Sequence, residues 1–272
     1  MTRATTMLSG LILAALGTTA LAGGGPRDAV TQADGYGHLV AGGGTACPYS
    51  ALDISGSGTP VALTAAGPGV TALDDGASLL ALAEPFDFYG ASHSNLVVST
   101  NGYVAFADTL DAENGGDFSN DPYLPAVPDN TPSSAGRIYV YHDDLSGEGA
   151  GSSLRSQHYA ACPRGSDAIA GESCTVVEWK NYARLAGGDG IDVALVLYHA
   201  SGEIAIQHAS LDAGAGDSAC VGIQNADASD GLAWSCNGGR TLTAASAVCW
   251  FDPAHPPGGN DAIFRDGFES IR

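Results

Sequence analysis

The chain has 272 residues and a formal net charge of −20 at pH 7, with 10 Lys and Arg against 30 Asp and Glu. Because so few residues are basic, no positive stripe is available to neutralise a phosphate backbone, which argues against nucleic acid and anionic membranes as partners. The length is sufficient for one domain with a full hydrophobic core.

The first segment is short and apolar. Residues 1–22 carry a single charge, an arginine, followed by an apolar run over 8–16 and the small residues Ala20 and Ala22. This order is typical of a cleavable signal peptide, and the run is shorter than the roughly 20 apolar residues of a membrane-spanning helix. We expect cleavage after Ala22 and a secreted mature chain of charge 9 − 30 = −21 without a membrane span; the alternative is a retained anchor.

Short runs of alternating apolar residues follow, and helical periodicity is nearly absent. In NLVVSTNGYVAF the apolar residues alternate on both sides of Asn101-Gly102, which favours a tight type I′ hairpin. DVALVLYHASGEIAIQHA repeats the pattern around Ser201-Gly202. About a dozen such runs predict an all-β fold, an antiparallel β-sandwich, over residues 23–252.

A long polar segment, residues 108–137, interrupts the strands. Loops of this length in compact domains are usually functional or disordered. Carboxylate oxygens are the ligands that calcium prefers, and the segment contains four candidates, although their spacing does not match an EF-hand. The candidates are Asp111, Glu113, Asp117 and Asp121. Calcium is the one cofactor that the sequence offers, and a solvated loop is the alternative.

A second acidic candidate ends the predicted strand RIYVYH. His142 is followed there by Asp143 and Asp144, two carboxylates that are candidates for calcium binding or for acid–base chemistry. Neighbouring strand residues point to opposite faces, so two successive carboxylates converge poorly unless the strand has turned. The favoured interpretation is therefore a structural or solvated strand end.

Four residues of later strands are interpreted as structural. Glu178 is expected to be a cross-strand partner, with Lys180 or Arg184 as its cation. Core packing is favoured over a sugar-binding platform for the three tryptophans. These are Trp179, Trp234 and Trp250.

Six cysteines form an even set, which in an exported chain predicts three disulfides. Sequence alone allows 15 connectivities for six cysteines, so the choice depends on spacing. Two pairs flank turn-rich segments, and the remaining two cysteines lie near the two ends of the domain. The predicted pairs are Cys162–Cys174, Cys220–Cys236 and Cys47–Cys249.

Catalytic motifs are weak. The segment GDSAC, which contains Ser218, begins like the nucleophile segment of a trypsin-like protease, but Ala219 and Cys220 stand where glycines are required. The chain contains no G-x-S-x-G, no H-E-x-x-H and no glycine loop for phosphates. Ser218 is therefore interpreted as a turn serine.

The chain ends in a Pro- and Gly-rich linker and a tail, residues 253–272, which we expect to be flexible. Two phenylalanines in an acidic peptide favour a recognition tag for export or sorting machinery; a tail without function is the alternative. The residues proposed to be recognised are Phe264, Asp266, Gly267, Phe268 and Glu269. The tail is similar to short Asp-Gly-Phe-Glu endings of secreted proteins in some Gram-negative bacteria.

The order of motifs over about residues 85–240 resembles nidogen-like β-sandwich modules of secreted bacterial proteins, which are often appended to proteases. The motifs are FDFYGASHSNLVVSTNGYVAF, IYVYHDDL, CTVVEWKNY, VALVLYHASGEIAIQH and CVGIQNADASDGLAWSCN. Such modules commonly have Trp before the Asp-Asp pair, where this chain has His142. The resemblance implies a non-catalytic binding or accessory protein with an unknown extracellular or envelope ligand. An extracellular hydrolase with a site assembled from loops is the alternative.

Overall fold

The computed structural model describes residues 32–44, 46–111, 115–127, 135–214 and 216–257. The predicted signal peptide, Glu113 and the tail from residue 258 onwards lie outside the described residues. The tail prediction, with Phe264, Asp266, Gly267, Phe268 and Glu269, falls entirely in that part.

Every secondary-structure element named within the described residues is a β-strand. In chain order the strands are β1 (Gln32–Ala33), β2 (Leu39–Gly42), β3 (Thr59–Pro60), β4 (Thr64–Ala65), β5 (Gly76–Phe88), β6 (Ala91–Ser99), β7 (Tyr103–Ala105), β8 (Arg137–His142), β9 (Leu145–Ser146), β10 (Ser153–Tyr159), β11 (Cys174–Arg184), β12 (Ile191–Tyr198), β13 (Ile204–Ser210), β14 (Cys220–Gln224), β15 (Gly231–Ser235) and β16 (Ser246–Phe251). The predicted all-β fold is confirmed.

The strands form two antiparallel sheets. The nine-stranded sheet has the order β1-β2-β16-β13-β12-β11-β10-β3, with β9 paired to β11. The seven-stranded sheet has the order β15-β14-β8-β7-β6-β5-β4. Apolar side chains from the facing sides of both sheets form one core, which is the arrangement of a β-sandwich.

The hairpin turns differ in part from the prediction. Because Ser99 pairs with Tyr103, the β6–β7 turn has three residues, and of Asn101-Gly102 only Gly102 has a positive φ, 72°. A three-residue turn with glycine in the left-handed region replaces the expected type I′ turn. A side chain on Gly102 would also clash with the carbonyl oxygen of Tyr141.

Two tryptophans connect the sheets through hydrogen bonds across the core. The indole N–H of Trp179 in β11 donates to the carbonyl of Ser99 in β6 at 2.8 Å. The indole N–H of Trp250 in β16 donates to the carbonyl of Leu232 in β15 at 3.0 Å. Both tryptophans are fully buried, so they belong to the core, as expected.

Loops cover the outer faces of both sheets. Residues 46–54 pack on the nine-stranded sheet through Cys47 and Ile54. On the seven-stranded sheet, Leu124 of the long polar segment packs in a cluster with Tyr103 and Tyr139. The described part of that segment therefore packs over the outer face of the seven-stranded sheet.

Three disulfides hold this arrangement. The pairs are Cys47–Cys249, Cys162–Cys174 and Cys220–Cys236, with Cα atoms 5.7, 5.3 and 4.1 Å apart. These are the three pairs predicted from the sequence. The first connects the cover of residues 46–54 to β16, and the second connects the loop before β11 to that strand.

Glu178 of β11 is a buried carboxyl beneath residues 46–54. Its Oε2 accepts a hydrogen bond from the backbone N–H of Ile54 at 3.1 Å. The predicted partners, Lys180 and Arg184, form their ion pairs with other carboxylates. Burial, followed by the charge of Asp53, raises the pKa of Glu178 to about 7.

We expect Glu178→Gln to stabilise the protein at about pH 8 but not at about pH 4.5. A carboxyl whose pKa is higher in the folded chain contributes stability below its unfolded pKa, and this contribution is lost as the pH rises through the folded pKa. The difference in unfolding free energy between variant and wild type should therefore grow with pH, by up to about 3 kcal/mol.

Urea unfolding at several pH values measures this difference. Asp189→Asn, which changes an exposed carboxylate, is the matched control. A difference between Glu178→Gln and wild type that stays constant with pH would contradict the burial of an ionisable group at this position.

Candidate functional site

The predicted acidic residues lie at one end of the sandwich, which we call the polar end and define by Asn101, His142, Asp143, Asp144 and Ser218. The β6–β7 turn, the end of β8 and the start of β14 meet there because adjacent antiparallel strands place alternate ends together. The structure therefore brings His142 and Asp143 close to Ser218, a contact that the sequence did not predict.

Both ring nitrogens of His142 lie within hydrogen-bond distance of backbone carbonyl oxygens. Nδ1 lies 2.9 Å from the carbonyl oxygen of Asn101, and Nε2 lies 3.0 Å from that of Ser119. The side chain is buried, and it joins the turn after β6 to the long polar segment. Neither nitrogen is directed at a nucleophile, so the imidazole is not placed as a general base.

Asp143 accepts a hydrogen bond from the hydroxyl of Ser218 at 2.5 Å. The same hydroxyl accepts from Nη1 of Arg184 at 3.1 Å, and the Arg184 guanidinium also contacts Asp212. A serine nucleophile requires a base that takes its proton. Because the Ser218 hydroxyl contacts both Asp143 and Arg184, this network connects the residue after β8, β11 and the segment before β14.

Asp144 follows β8 in a bend, and its backbone N–H donates to the Asp143 carboxylate at 2.9 Å. Burial, followed by the charges of Asp75, Asp74 and Asp143, raises the pKa of Asp144. Among the described residues, neither carboxylate belongs to a group of three metal-ligand atoms within 4.8 Å of one another.

The candidate residues of the long polar segment are also not gathered around one point. Asp117 is buried and forms an ion pair with Arg137, while the backbone carbonyl of Asp121 accepts from Asn237 at 3.3 Å. Asp111 is exposed, and Glu113 lies outside the described residues. Among the described residues, no three of these candidates bring ligand atoms within 4.8 Å of one another.

Within the described ranges, one group brings three metal-ligand atoms within 4.8 Å, and it was not predicted: Asp167, Glu203 and Cys249. Cys249 is in a disulfide and has no thiolate to offer. The guanidinium of Arg164 lies among these residues, 3.0 Å from each carboxylate and 3.2 Å from the sulfur. This cluster is a buried ion pair, and the guanidinium supplies its positive charge.

The opposite end of the sandwich carries a cleft of about 590 Å³. It lies between the segment before β2, the β5–β6 turn and the β14–β15 loop. We call it the aromatic cleft and define it by Tyr36, Phe88, Tyr89, His93, Phe106 and residues 225–230. Loops at one end of a sandwich are a common place for recognition.

The aromatic rings of the cleft contact one another. The Phe88 and Phe106 rings are stacked with centroids 4.4 Å apart, and the Phe88 and Tyr89 rings meet at 86° with centroids 4.8 Å apart. Tyr36 lies 5.4 Å from Tyr89 by ring centroids and is 40% exposed. The cleft therefore has a rigid aromatic floor and one accessible tyrosine.

Tyr89 has an unusual backbone conformation. It forms a two-residue turn with Gly90, with φ values of 47° and 77°, between the paired residues Phe88 and Ala91. Such type I′ turns favour Asn, Asp or Gly, and a bulky residue with positive φ is strained. The Tyr89 hydroxyl donates to Asp34 at 2.7 Å, so its side chain fixes the segment before β2.

Carboxylates surround these rings. Asp230 accepts from the backbone N–H groups of Gly35 and Tyr36, at 2.8 and 2.7 Å. Burial, followed by the charges of Asp252, Asp87 and Asp34, raises the pKa of Tyr36. Neither Lys nor Arg is among the described residues that line the cleft. The aromatic cleft is therefore acidic.

The cleft is not apparent in the sequence because its parts are distant in the chain. Tyr36, Tyr89 and Asp227 belong to three separate loops, and only the sheet order brings them together. One local signal was present: Tyr89-Gly90 occupies a turn position where Asn-Gly is expected. A tyrosine at this turn position indicates that the contacts of its side chain offset the strain in its backbone.

A family model described as NIDO related matches residues 48–251, more than half of the chain. The match covers the strands from β3 to β16. No curated protein and no solved structure matches the chain. In the part of the chain that the structure describes, no helix is long and apolar enough to cross a membrane.

We expect millimolar calcium, compared with chelator, to leave the melting temperature unchanged. A ligand present at a hundred times its dissociation constant would stabilise the folded chain by about 2.7 kcal/mol, which thermal unfolding detects. Asp117→Asn removes the partner of Arg137 and should destabilise the protein equally in both buffers. A calcium-dependent rise in melting temperature that Asp117→Asn abolishes would support a calcium site that includes Asp117.

Proposed function

The chain belongs to the NIDO-related family, and on that premise we propose that it is a secreted, non-catalytic β-sandwich protein of bacteria. Its role is to bind a ligand, or to act as an accessory protein, at the cell surface or outside the cell. The ligand site that we propose is the aromatic cleft.

Several features support an extracytoplasmic location. Three disulfides occur in the described chain, and such bonds persist in oxidising compartments. The sequence of residues 1–22 is typical of a signal peptide. The acidic composition favours solubility after export.

The proposed binding role is supported by a difference between the polar end of the sandwich and the end with the aromatic cleft. At the polar end, His142, Asp143 and Ser218 are held in hydrogen bonds that join separate segments. At the other end, the cleft is concave and aromatic, and its described lining includes an exposed tyrosine ring and two carboxylates but neither Lys nor Arg. Concave aromatic surfaces with a few polar groups are typical ligand sites.

The alternative, a hydrolase with a loop-assembled site, would have to use Ser218 with Asp143. We expect Ser218→Ala to lower the free energy of unfolding by about 1–3 kcal/mol, because the buried Asp143 then loses a partly buried hydrogen-bond donor. Hydrolysis of ester, peptide and glycoside substrates should stay at background in wild type and variant. Ser92→Ala, at an exposed position of β6, is the control.

A wild-type hydrolysis rate above background that Ser218→Ala abolishes and Ser92→Ala keeps would overturn the non-catalytic function. A lower stability of Ser218→Ala, with no hydrolysis above background in the wild type, would support the non-catalytic function. The two readouts separate a structural serine from a nucleophile.

We also propose that the tail is a tag read by export, sorting or surface-attachment machinery. The residues that carry it are Phe264, Asp266, Gly267, Phe268 and Glu269. An apolar pair in an acidic peptide stays soluble when free and offers an apolar stripe when bound.

Deleting residues 260–272 should leave the melting temperature unchanged, since the last strand named within the described residues ends at Phe251. The same deletion should alter the compartment in which the protein accumulates. Fractionation into cytoplasm, envelope and medium measures this, with deletion of the last two residues as the control. Equal amounts in the same compartment for both chains would contradict the tag.

A further inference from the structure

The chain's own arginines show how this protein holds a guanidinium group. Arg137 lies over the Tyr103 ring, 4.9 Å from its centroid, and pairs with Asp117. Arg164 lies 5.7 Å from the Tyr198 centroid and pairs with Glu203. In both cases a tyrosine ring and a carboxylate share one guanidinium, which combines a cation–π contact with a charged hydrogen bond.

The aromatic cleft offers the same combination without an arginine of its own. Tyr36 presents an accessible ring, and Asp227 lines the same cleft. The hydroxyl and the backbone N–H of Ser229 lower the pKa of Asp227, so this carboxylate is ionised at neutral pH. Asp87 and Asp252 add negative charge near Tyr36.

The polar groups of the cleft can mainly accept hydrogen bonds. The side-chain N–H of Asn225 donates to the Ser229 hydroxyl at 2.9 Å, and that hydroxyl donates to Asp227 at 2.6 Å. The Tyr89 hydroxyl donates to Asp34. Burial lowers the pKa of His93, so its ring is neutral, and it bonds to the backbone of Phe88.

A ligand that fits these groups is therefore a donor with positive charge and a flat or apolar surface. A neutral sugar would make no use of the negative charge of the cleft, and the Ser229 and Tyr89 hydroxyls already donate to carboxylates. Guanidinium has five N–H donors, no acceptor, and a planar face that stacks on aromatic rings. An ammonium group lacks the planar face.

We propose that the aromatic cleft binds an arginine side chain of a partner polypeptide, with the guanidinium between the Tyr36 ring and the carboxylate of Asp227. The proposal rests on the binding function proposed above and names the chemistry of the partner. The occupant is a polypeptide because the cleft is an open groove between loops, about 590 Å³ in volume, with room for a side chain and its neighbouring backbone. The net charge of −20 favours approach of a basic segment.

The test is an NMR titration of the full folded chain with capped tripeptides Gly-X-Gly, where X is arginine, citrulline or lysine. Citrulline has nearly the shape of arginine but no charge. We expect the arginine peptide to shift the amide signals of Tyr36, Tyr89 and Asp227, and to bind more tightly than the citrulline peptide by about 2- to 30-fold. Added salt should weaken its binding.

Two variants examine the named contacts. Tyr36→Ala and Asp227→Asn should each weaken binding of the arginine peptide by about 2- to 30-fold. Tyr123→Ala, which removes a tyrosine 65% exposed outside the cleft lining, and Asp189→Asn are the matched controls and should bind as wild type does. Thermal unfolding verifies that all four variants fold.

Equal binding of the citrulline peptide would overturn the cationic ligand while leaving a binding cleft in place. Equal or tighter binding of the lysine peptide would overturn the assignment to arginine. Unshifted cleft signals at about 20 mM arginine peptide, well above the millimolar range of weak contacts, would also overturn it. Hydrolytic activity that depends on Ser218 would overturn the proposed function and is measured separately.

Discussion

The spacing of the two sheets depends on the hydrogen bonds that Trp179 and Trp250 make across the core. Each buried indole donates from the nine-stranded sheet to a carbonyl of the seven-stranded sheet. A buried indole N–H without a partner is costly, so these two bonds favour one alignment of the sheets. That alignment fixes which loops meet at each end of the sandwich. The polar end and the aromatic cleft are both consequences of it.

The two ends use their charges differently. The chain has three acidic residues for each basic one, so cations are scarce. Arg137, Arg164 and Arg184 each pair with buried or partly buried carboxylates, where an unpaired charge would be most costly. At the aromatic cleft, by contrast, Asp227 and Asp230 bond to hydroxyl and backbone N–H groups. The arginines therefore stabilise the interior, and the cleft keeps negative charge that a partner can use.

Much of the fold was predictable from the sequence, whereas the cleft was not. Runs of alternating apolar residues place their apolar side chains on one face of a strand, and strands bury those faces by sharing a core. The spacing of the cysteines indicated the disulfide pairs. The prediction for Asn101-Gly102 was wrong in turn length, because the pairing of Ser99 with Tyr103 depends on partners outside the hairpin. The contacts of Asp143 with Ser218 and of Tyr89 with Asp34 join residues 75 and 55 positions apart. Local patterns do not encode such contacts, since they depend on sheet order.

The acidic, aromatic cleft at the end of the sandwich is proposed to receive an arginine side chain. A crystal structure of the protein grown with a capped arginine peptide would locate that side chain. We expect the guanidinium to contact the Tyr36 ring and to donate hydrogen bonds to Asp227. A peptide bound at the polar end, or held in the cleft by its backbone with the guanidinium in solvent, would rule out the proposed site.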